Sequence, residues 1–246
     1  MMRSSRPISR SDPAALVASL ERRFVTAEST ELVGGEEITL LRPRSADALI
    51  SEVDFERDER LPYWADLWPS SLVLASRLLE ETRAHGTMLE LGCGLGLVTI
   101  AAMRAGWNVV ATDYYEDALR FTRANGWRNL GIEPATRLVD WRDLPSDLGT
   151  FDRVVAADVL YERDYAAVVA KVLARTIAPG GDAIVADPGR VATPEFLVEC
   201  GRRGLRIADR ETRPFEIGVI SQRIALFRIV HAVRAADFPL LPQQQQ

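Results

Sequence analysis

Between residues 70 and 203 the chain alternates short apolar runs with segments whose apolar residues recur every three or four positions. Apolar runs without polar alternation predict strands buried on both faces, and the wider spacing predicts amphipathic helices. The predicted strands cover residues 87–91, 108–113, 135–141, 151–158 and 181–188. The predicted helices cover residues 70–81, 97–106, 115–127, 164–177 and 194–203. This alternation predicts an α/β fold of the Rossmann-like, doubly wound type, with a mostly parallel sheet.

The two ends of the chain depart from this alternation. Residues 13–27 have helical apolar spacing, and residues 37–43 read as a short strand halted by proline. Residues 205–216 and 219–230 predict two strands joined by a turn. We therefore expect a seven-stranded sheet with an antiparallel C-terminal hairpin. Residues 236–246, rich in Pro and Gln, predict a disordered tail.

Composition excludes several classes of function. No apolar run approaches the roughly 20 residues of a membrane helix, so we expect a soluble protein without a membrane partner. The net charge of −5 and pI near 5.3 argue against a nucleic-acid partner, which needs clustered Lys and Arg. Cys93 and Cys200 have neither metal-ligand spacing nor a disulfide framework, which predicts no metal site and suits a reducing compartment.

A glycine-dense turn follows the first strand of the regular region. In the sequence ELGCGLG, Gly92, Gly94 and Gly96 lie between that strand and the next helix, and Glu90 lies within the strand end. Glycines there let the backbone approach a ligand at the crevice where doubly wound folds bind cofactors. The turn alone does not identify the ligand, because nicotinamide, flavin and S-adenosylmethionine (SAM) proteins all use one.

Carboxylates at successive strand ends narrow the choice of ligand. Asp113 ends the second strand, where it can accept both ribose hydroxyls of an adenosyl group. Asp140 ends the third strand, placed to accept from an adenine amino group with Trp141 beside the ring, and Asp158 ends the fourth. With Glu90, these acids suit a cationic sulfonium and ammonium and would repel a pyrophosphate. SAM is therefore the predicted cofactor, although each carboxylate taken alone could equally cap a helix or turn.

Four segments together resemble the class I, seven-stranded SAM-dependent methyltransferases. They are ELGCGLG, the TD pair at 112–113, VDW at 139–141 and DVLY at 158–161, and the resemblance covers roughly residues 60–230. PYWADLWP at 62–69 and DPGR at 187–190 are similar to the family 16 methyltransferases. These include the lysine methyltransferase of the electron transfer flavoprotein beta subunit and its bacterial relatives. The resemblance implies a cytoplasmic enzyme that methylates a protein lysine, with this beta subunit as the specific partner.

The resemblance also implies roles for individual residues and a division of the chain. Asp158 and Tyr161 would orient the acceptor amine, and Trp68 would lie beside the cofactor. Tyr63 and Trp64 would complete an aromatic lid, whose ring faces can stabilise a cation. The remaining assignments are the substrate contacts Asp187 and Arg190 and a methyltransferase domain over residues 61–235, with residues 1–60 as an extension packed on it.

Other functions stay open from the sequence. The same family contains sequences described as nicotinamide N-methylases, so a small heteroaromatic amine is an alternative acceptor. A SAM-binding module without catalysis and a nicotinamide-dependent oxidoreductase are more distant alternatives. The aromatic rings could merely pack a helix start against the sheet, and the DPGR segment could be a purely structural turn.

Overall fold

The computed structural model describes residues 12–46, 49, 62–81 and 86–232. The helices are α1 (Pro13–Arg23), α2 (Pro69–Leu79), α3 (Leu97–Arg104), α4 (Glu116–Leu130), α5 (Tyr165–Thr176) and α6 (Thr193–Arg202). The strands are β1 (Thr26–Val33), β2 (Glu36–Pro43), β3 (Thr87–Leu91), β4 (Asn108–Asp113), β5 (Ala135–Leu138), β6 (Phe151–Ala157), β7 (Ile177–Asp187), β8 (Leu205–Ile217) and β9 (Ile220–His231). The expected tail, 236–246, and the first eleven residues lie outside the described residues.

Seven strands form the central sheet in the order β5-β4-β3-β6-β7-β9-β8. The first five of these are parallel, and β9 pairs antiparallel with both β7 and β8. The strand order reverses between β3 and β6, which is the topological switch point where such folds open a crevice. The predicted seven-stranded, mostly parallel sheet with an antiparallel C-terminal hairpin is confirmed.

The hydrophobic core lies in two layers, one on each face of the sheet. Helices α5 and α6 cover one face, and α2, α3 and α4 cover the other. Residues 88–91 of β3 and 154–156 of β6 are buried between the layers, and Glu90 is the one polar side chain among them. The carboxyl ends of the parallel strands therefore lie on a rigid edge, from which loops project their polar side chains.

Residues 12–46 pack against α4 through a helix and a two-stranded ribbon. The amide of Asn125 pairs with both backbone groups of Leu41, at 2.7 and 2.9 Å, and Asn129 does the same for Thr39. Leu20 of α1 is fully buried in the core layer below. These contacts satisfy the edge of β2, which would otherwise be unpaired.

Two predictions of local structure were wrong. Strand β1 was not foreseen, and the helix predicted over residues 13–27 ends at Arg23. The β1 segment, TAESTELV, buries only Val33, so it lacks the apolar signal of a core strand. The strand predicted over residues 135–141 ends at Leu138, because the following residues turn into the crevice.

Among the described residues, no helix is long and apolar enough to cross a membrane. The same residues contain no cluster of His, Cys, Asp and Glu that could hold a metal ion.

Candidate active site

A cleft opens at the carboxyl ends of β3, β4 and β6, where the strand order reverses. Its empty volume is about 1100 Å³, open solvent at the mouth included. Its walls are the glycine turn after β3, the loops after β4, β5 and β6, and the aromatic segment 62–68 before α2. Segments widely separated in the sequence therefore surround one space.

The glycine turn after β3 requires glycine at each of its three positions. Gly92, Gly94 and Gly96 have φ values of 73°, 52° and 85°, in the left-handed region. A side chain at Gly94 would meet the carbonyl oxygen of Trp64 at 3.0 Å, and one at Gly92 would contact the ring of Trp141 at 3.5 Å. Gly92 and Gly94 thus leave backbone facing the cleft, whereas Gly96 is buried against Thr122 and does not line it.

Asp113 holds this turn at the end of β4. One of its carboxylate oxygens accepts from the Gly94 amide and the other from the Tyr115 amide, each at 3.0 Å. Burial raises the pKa of Asp113 from 3.8 to about 6. The carboxylate lines the cleft and keeps free lone pairs, so it can still accept hydrogen bonds from a ligand.

Glu90 lies below the turn, on β3. Its side chain accepts a hydrogen bond from the hydroxyl of Thr99, and only 4% of the residue is exposed. Burial raises the pKa of Glu90 from 4.5 to about 8, and the nearby Asp113 carboxylate adds to the increase. Since Glu90 also lines the cleft, its buried negative charge would be stabilised by a cation bound there.

The loop after β5 forms the far wall of the cleft. Asp140 accepts from the Arg142 amide at 2.9 Å, which fits the alternative reading of a carboxylate that closes a turn. Trp141 packs edge to face on Tyr165, with ring centroids 5.7 Å apart. Its indole nitrogen is buried and has no hydrogen-bond partner in the described part of the chain.

The aromatic segment before α2 forms the near wall. Tyr63 contacts the rings of both Trp68 and Tyr161, at centroid distances of 5.9 and 5.2 Å, and the Trp68 indole donates to the Tyr63 carbonyl at 2.9 Å. Trp64 lines the cleft and also packs on Phe121, 5.6 Å away. Trp64 therefore combines a cleft position with the packing role that the sequence left open.

Asp158 projects into the cleft from the loop after β6. Its φ of 60° is the only left-handed value among the described non-glycine residues, and such strain is common at functional sites. One carboxylate oxygen accepts from the Ser70 hydroxyl at 2.9 Å and the other from Arg190 Nε at 2.6 Å. The Arg190 guanidinium also lies 5.2 Å from the centre of the Trp68 ring.

Tyr161 follows Asp158 in the same loop and lines the cleft. Burial raises its pKa well above the ordinary value for a phenol. Tyr161 is therefore a neutral hydrogen-bonding group at physiological pH.

The DPGR turn is held together by the side chain of its first residue. Asp187 is fully buried, and one of its carboxylate oxygens accepts from the Gly189 amide, the Arg190 amide and the Thr193 hydroxyl. These contacts close the turn, which agrees with the purely structural reading of the DPGR segment. Arg190 pairs with Asp158 and lies outside the set of cleft-lining residues.

Sequence reasoning missed Ser70 and Tyr165. Ser70 is the first residue of the helix predicted over residues 70–81, and its position beside Asp158 depends on a contact across 88 residues. Tyr165 falls within the helix predicted over residues 164–177, which gives it no individual role, yet it lines the cleft between Trp141 and Tyr161. Its aromatic character next to the DVLY segment was the available signal.

The described residues fit a SAM molecule on two observations. The glycine turn leaves backbone facing the cleft at Gly92 and Gly94, and the buried carboxylates of Glu90 and Asp113 have raised pKa values that a bound cation would lower.

Comparison with known proteins places this cleft in a family context. Residues 89–185 match the family model described as a methyltransferase domain. The magnesium protoporphyrin IX methyltransferase of Synechocystis PCC 6803, solved with bound SAM, superposes on this chain with a TM-score of 0.54 and 19% identity. The superposed region covers 74% of this chain and 94% of that chain. The ribosomal protein L11 methylase of Lactobacillus delbrueckii subsp. bulgaricus superposes with a TM-score of 0.51 and 20% identity. Here the superposed region covers 65% of this chain and 77% of that chain.

Two curated relatives are similar to this chain, over alignments of different length. The protein-lysine methyltransferase METTL21E of Mus musculus is 33% identical over 116 residues, which are 42% of this chain and 47% of that protein. The electron transfer flavoprotein beta subunit lysine methyltransferase of Xenopus laevis is 28% identical over 205 residues, which are 76% of this chain and 78% of that protein. The chain thus spans about half of the mouse relative and over three quarters of the frog relative.

Proposed function

We propose that this chain, a class I SAM-dependent methyltransferase, transfers methyl groups from SAM to the side-chain amine of a lysine in a protein. The observation that carries the proposal is the position of Asp158, whose carboxylate lies at the cleft between aromatic side chains and close to the glycine turn. Similarity to the mouse and frog lysine methyltransferases supports lysine as the acceptor.

The residues of the cleft divide into a cofactor set and an acceptor set. Glu90, the glycine turn, Asp113, Asp140 and Trp141 would hold SAM, with Trp68 beside them. When bound, SAM supplies a methyl group on a positively charged sulfur, which a neutral amine attacks in line. Asp158 would accept a hydrogen bond from the acceptor amine, and Tyr161 would complete its orientation. Holding the reacting atoms in line and excluding water is the main contribution an enzyme makes to such a displacement.

A protein acceptor suits the rim of the cleft. Tyr63 is 36% exposed, and Asp66 and Glu162 at the same mouth are also exposed. A small heteroaromatic acceptor calls for a closed cavity, whereas a lysine side chain can enter from a protein surface resting on the rim. We take the electron transfer flavoprotein beta subunit as the specific substrate and the bacterial cytoplasm as the compartment.

Transfer of tritium from labelled SAM tests the proposal. Purified enzyme is incubated separately with recombinant electron transfer flavoprotein beta subunit, with cell extract and with nicotinamide. Label on the beta subunit, mapped to a lysine, is the expected result. Label on another protein of the extract would replace the beta subunit as the proposed substrate and would leave protein methylation as the proposed reaction. Label on nicotinamide alone would favour the small-molecule alternative, and SAM binding without any transfer would favour a non-catalytic module.

The raised pKa of Glu90 predicts that SAM binding releases a proton. In the free protein Glu90 is largely protonated below its pKa of about 8. A bound cation lowers that pKa, so SAM affinity should rise as pH increases toward 8 and stay level above it. Calorimetry at pH 7 in buffers of different ionisation enthalpy counts the released protons. Glu90→Gln, which keeps the shape and an acceptor for Thr99, should release far fewer protons, since Asp113 with its pKa of about 6 is largely ionised at pH 7. An unchanged count in this variant would assign the proton to another group.

A further inference from the structure

The ion pair between Arg190 and Asp158 affects the charge beside which the acceptor amine would lie. Asp158 is nearly buried, with 3% of its side chain exposed, while 34% of the Arg190 side chain is exposed. The guanidinium is thus a counter-charge for the cleft carboxylate, held between that carboxylate and the face of Trp68.

A carboxylate that orients an amine creates a chemical difficulty. Negative charge within a few ångströms stabilises the ammonium form and raises the pKa of the amine, which for lysine is already about 10.4. The ammonium form has no lone pair and cannot attack a methyl group. Asp158 alone would therefore bind the acceptor well and keep it unreactive.

We propose that Arg190 is a positioning residue that offsets the charge of Asp158, so that the carboxylate orients the acceptor amine without keeping it protonated. The proposal rests on the proposed function, because it requires a lysine amine at Asp158. Each carboxylate oxygen has two lone pairs, so bonds from Ser70 and Arg190 leave capacity for a bond from the amine.

The DPGR turn explains why the pair can persist when an acceptor binds. Asp187 fixes the backbone of the turn through the amides of Gly189 and Arg190, at 2.7 and 2.9 Å. The Arg190 side chain then has to span only from this fixed point to Asp158. The buried carboxylate of Asp187, which makes no contact with the cleft, acquires a function through this chain of contacts.

Other charged groups face the same space and contribute to its potential. The charged side chains that line the cleft besides Asp158 are Asp66, Glu90, Asp113, Asp140, Arg142 and Glu162. The tyrosines at positions 63, 114, 115, 161 and 165 line it as well. These groups are the same in wild type and in Arg190 variants, so a comparison of those proteins isolates the contribution of one guanidinium.

The test is the pH dependence of kcat, measured at saturating SAM and saturating recombinant beta subunit between pH 6.5 and 10. Under saturation the profile reports groups in the bound complex, which include the acceptor amine. We expect the acidic limb of Arg190→Gln to lie about one pH unit above that of wild type, which is a loss of about tenfold at neutral pH. The two rates should converge at high pH. Arg190→Lys keeps the charge and should stay close to the wild-type profile.

Matched measurements separate this proposal from simpler explanations. Arg202→Gln removes the same charge from an ion pair on α6 and should leave the profile unchanged. A loss of the same factor at every pH in Arg190→Gln, or no loss at all, would overturn the proposal and leave lysine methylation intact. If the wild type methylates no lysine, the proposed function itself fails before the variants are compared.

Discussion

Replacing Asp158 by alanine is expected to lower kcat for methyl transfer by about a hundredfold or more, while the Kd for SAM changes by less than about threefold. The carboxylate is the acidic group at the acceptor end of the cleft that approaches both Ser70 and Arg190. Without it the amine has no fixed acceptor of its hydrogen bond. A misplaced nucleophile reacts slowly even when both substrates are bound.

Asp158→Asn is the control for the effect of the substitution on folding. Asparagine tolerates the left-handed φ of 60° better than alanine does, and its carbonyl oxygen can still accept from Arg190 or Ser70. Both variants should bind SAM, as measured by calorimetry, and Asp158→Asn should retain the unfolding temperature of wild type more closely. Loss of SAM binding in a folded variant would move Asp158 to the cofactor, and near-normal turnover would remove it from the acceptor set.

Replacing Asp113 by asparagine is expected to weaken SAM binding by about a hundredfold without lowering the stability of the free protein near pH 8. The variant loses the carboxylate that we propose as acceptor for the ribose hydroxyls, and it weakens the bond that holds Gly94. Stability should respond differently, because burial raises the pKa of Asp113 from 3.8 to about 6. The native state therefore binds this proton more tightly than the unfolded state does, and the charged form costs stability above about pH 6.

The sign of this effect can be checked against a carboxylate at the other end of the sheet. Asp152, at the start of β6, accepts from the amide and hydroxyl of Thr87, and these bonds lower its pKa. Asp152→Asn should therefore reduce the unfolding temperature at pH 8 and leave SAM binding unchanged. Asp113→Asn should show the opposite pattern, with the SAM-induced rise in unfolding temperature lost. If both variants lost SAM binding equally, the ribose role of Asp113 would be contradicted.

The central fold could be predicted from the sequence, and so could the meeting of the glycine turn and Asp113 at one cleft. Strand β3, the turn containing Gly92 and Gly94, and Asp113 at the end of β4 are specified by short runs of neighbouring residues. Parallel strands bring their carboxyl ends to one edge, so residues at strand ends meet without further information. Strand β1 was missed because it buries only Val33 and so lacks the apolar pattern of a core strand.

What only the tertiary structure decided is which side chains meet at the acceptor end. Ser70 and Arg190 reach Asp158 from positions 88 and 32 residues away, and Asp187 turned inward to fix the loop that carries Arg190. The sequence determined the sheet, the helices and the type of cofactor, because periodic apolar spacing and strand-end residues are local patterns. It could not determine the charge balance of Asp158, because that balance depends on distances between chain segments that no local pattern encodes.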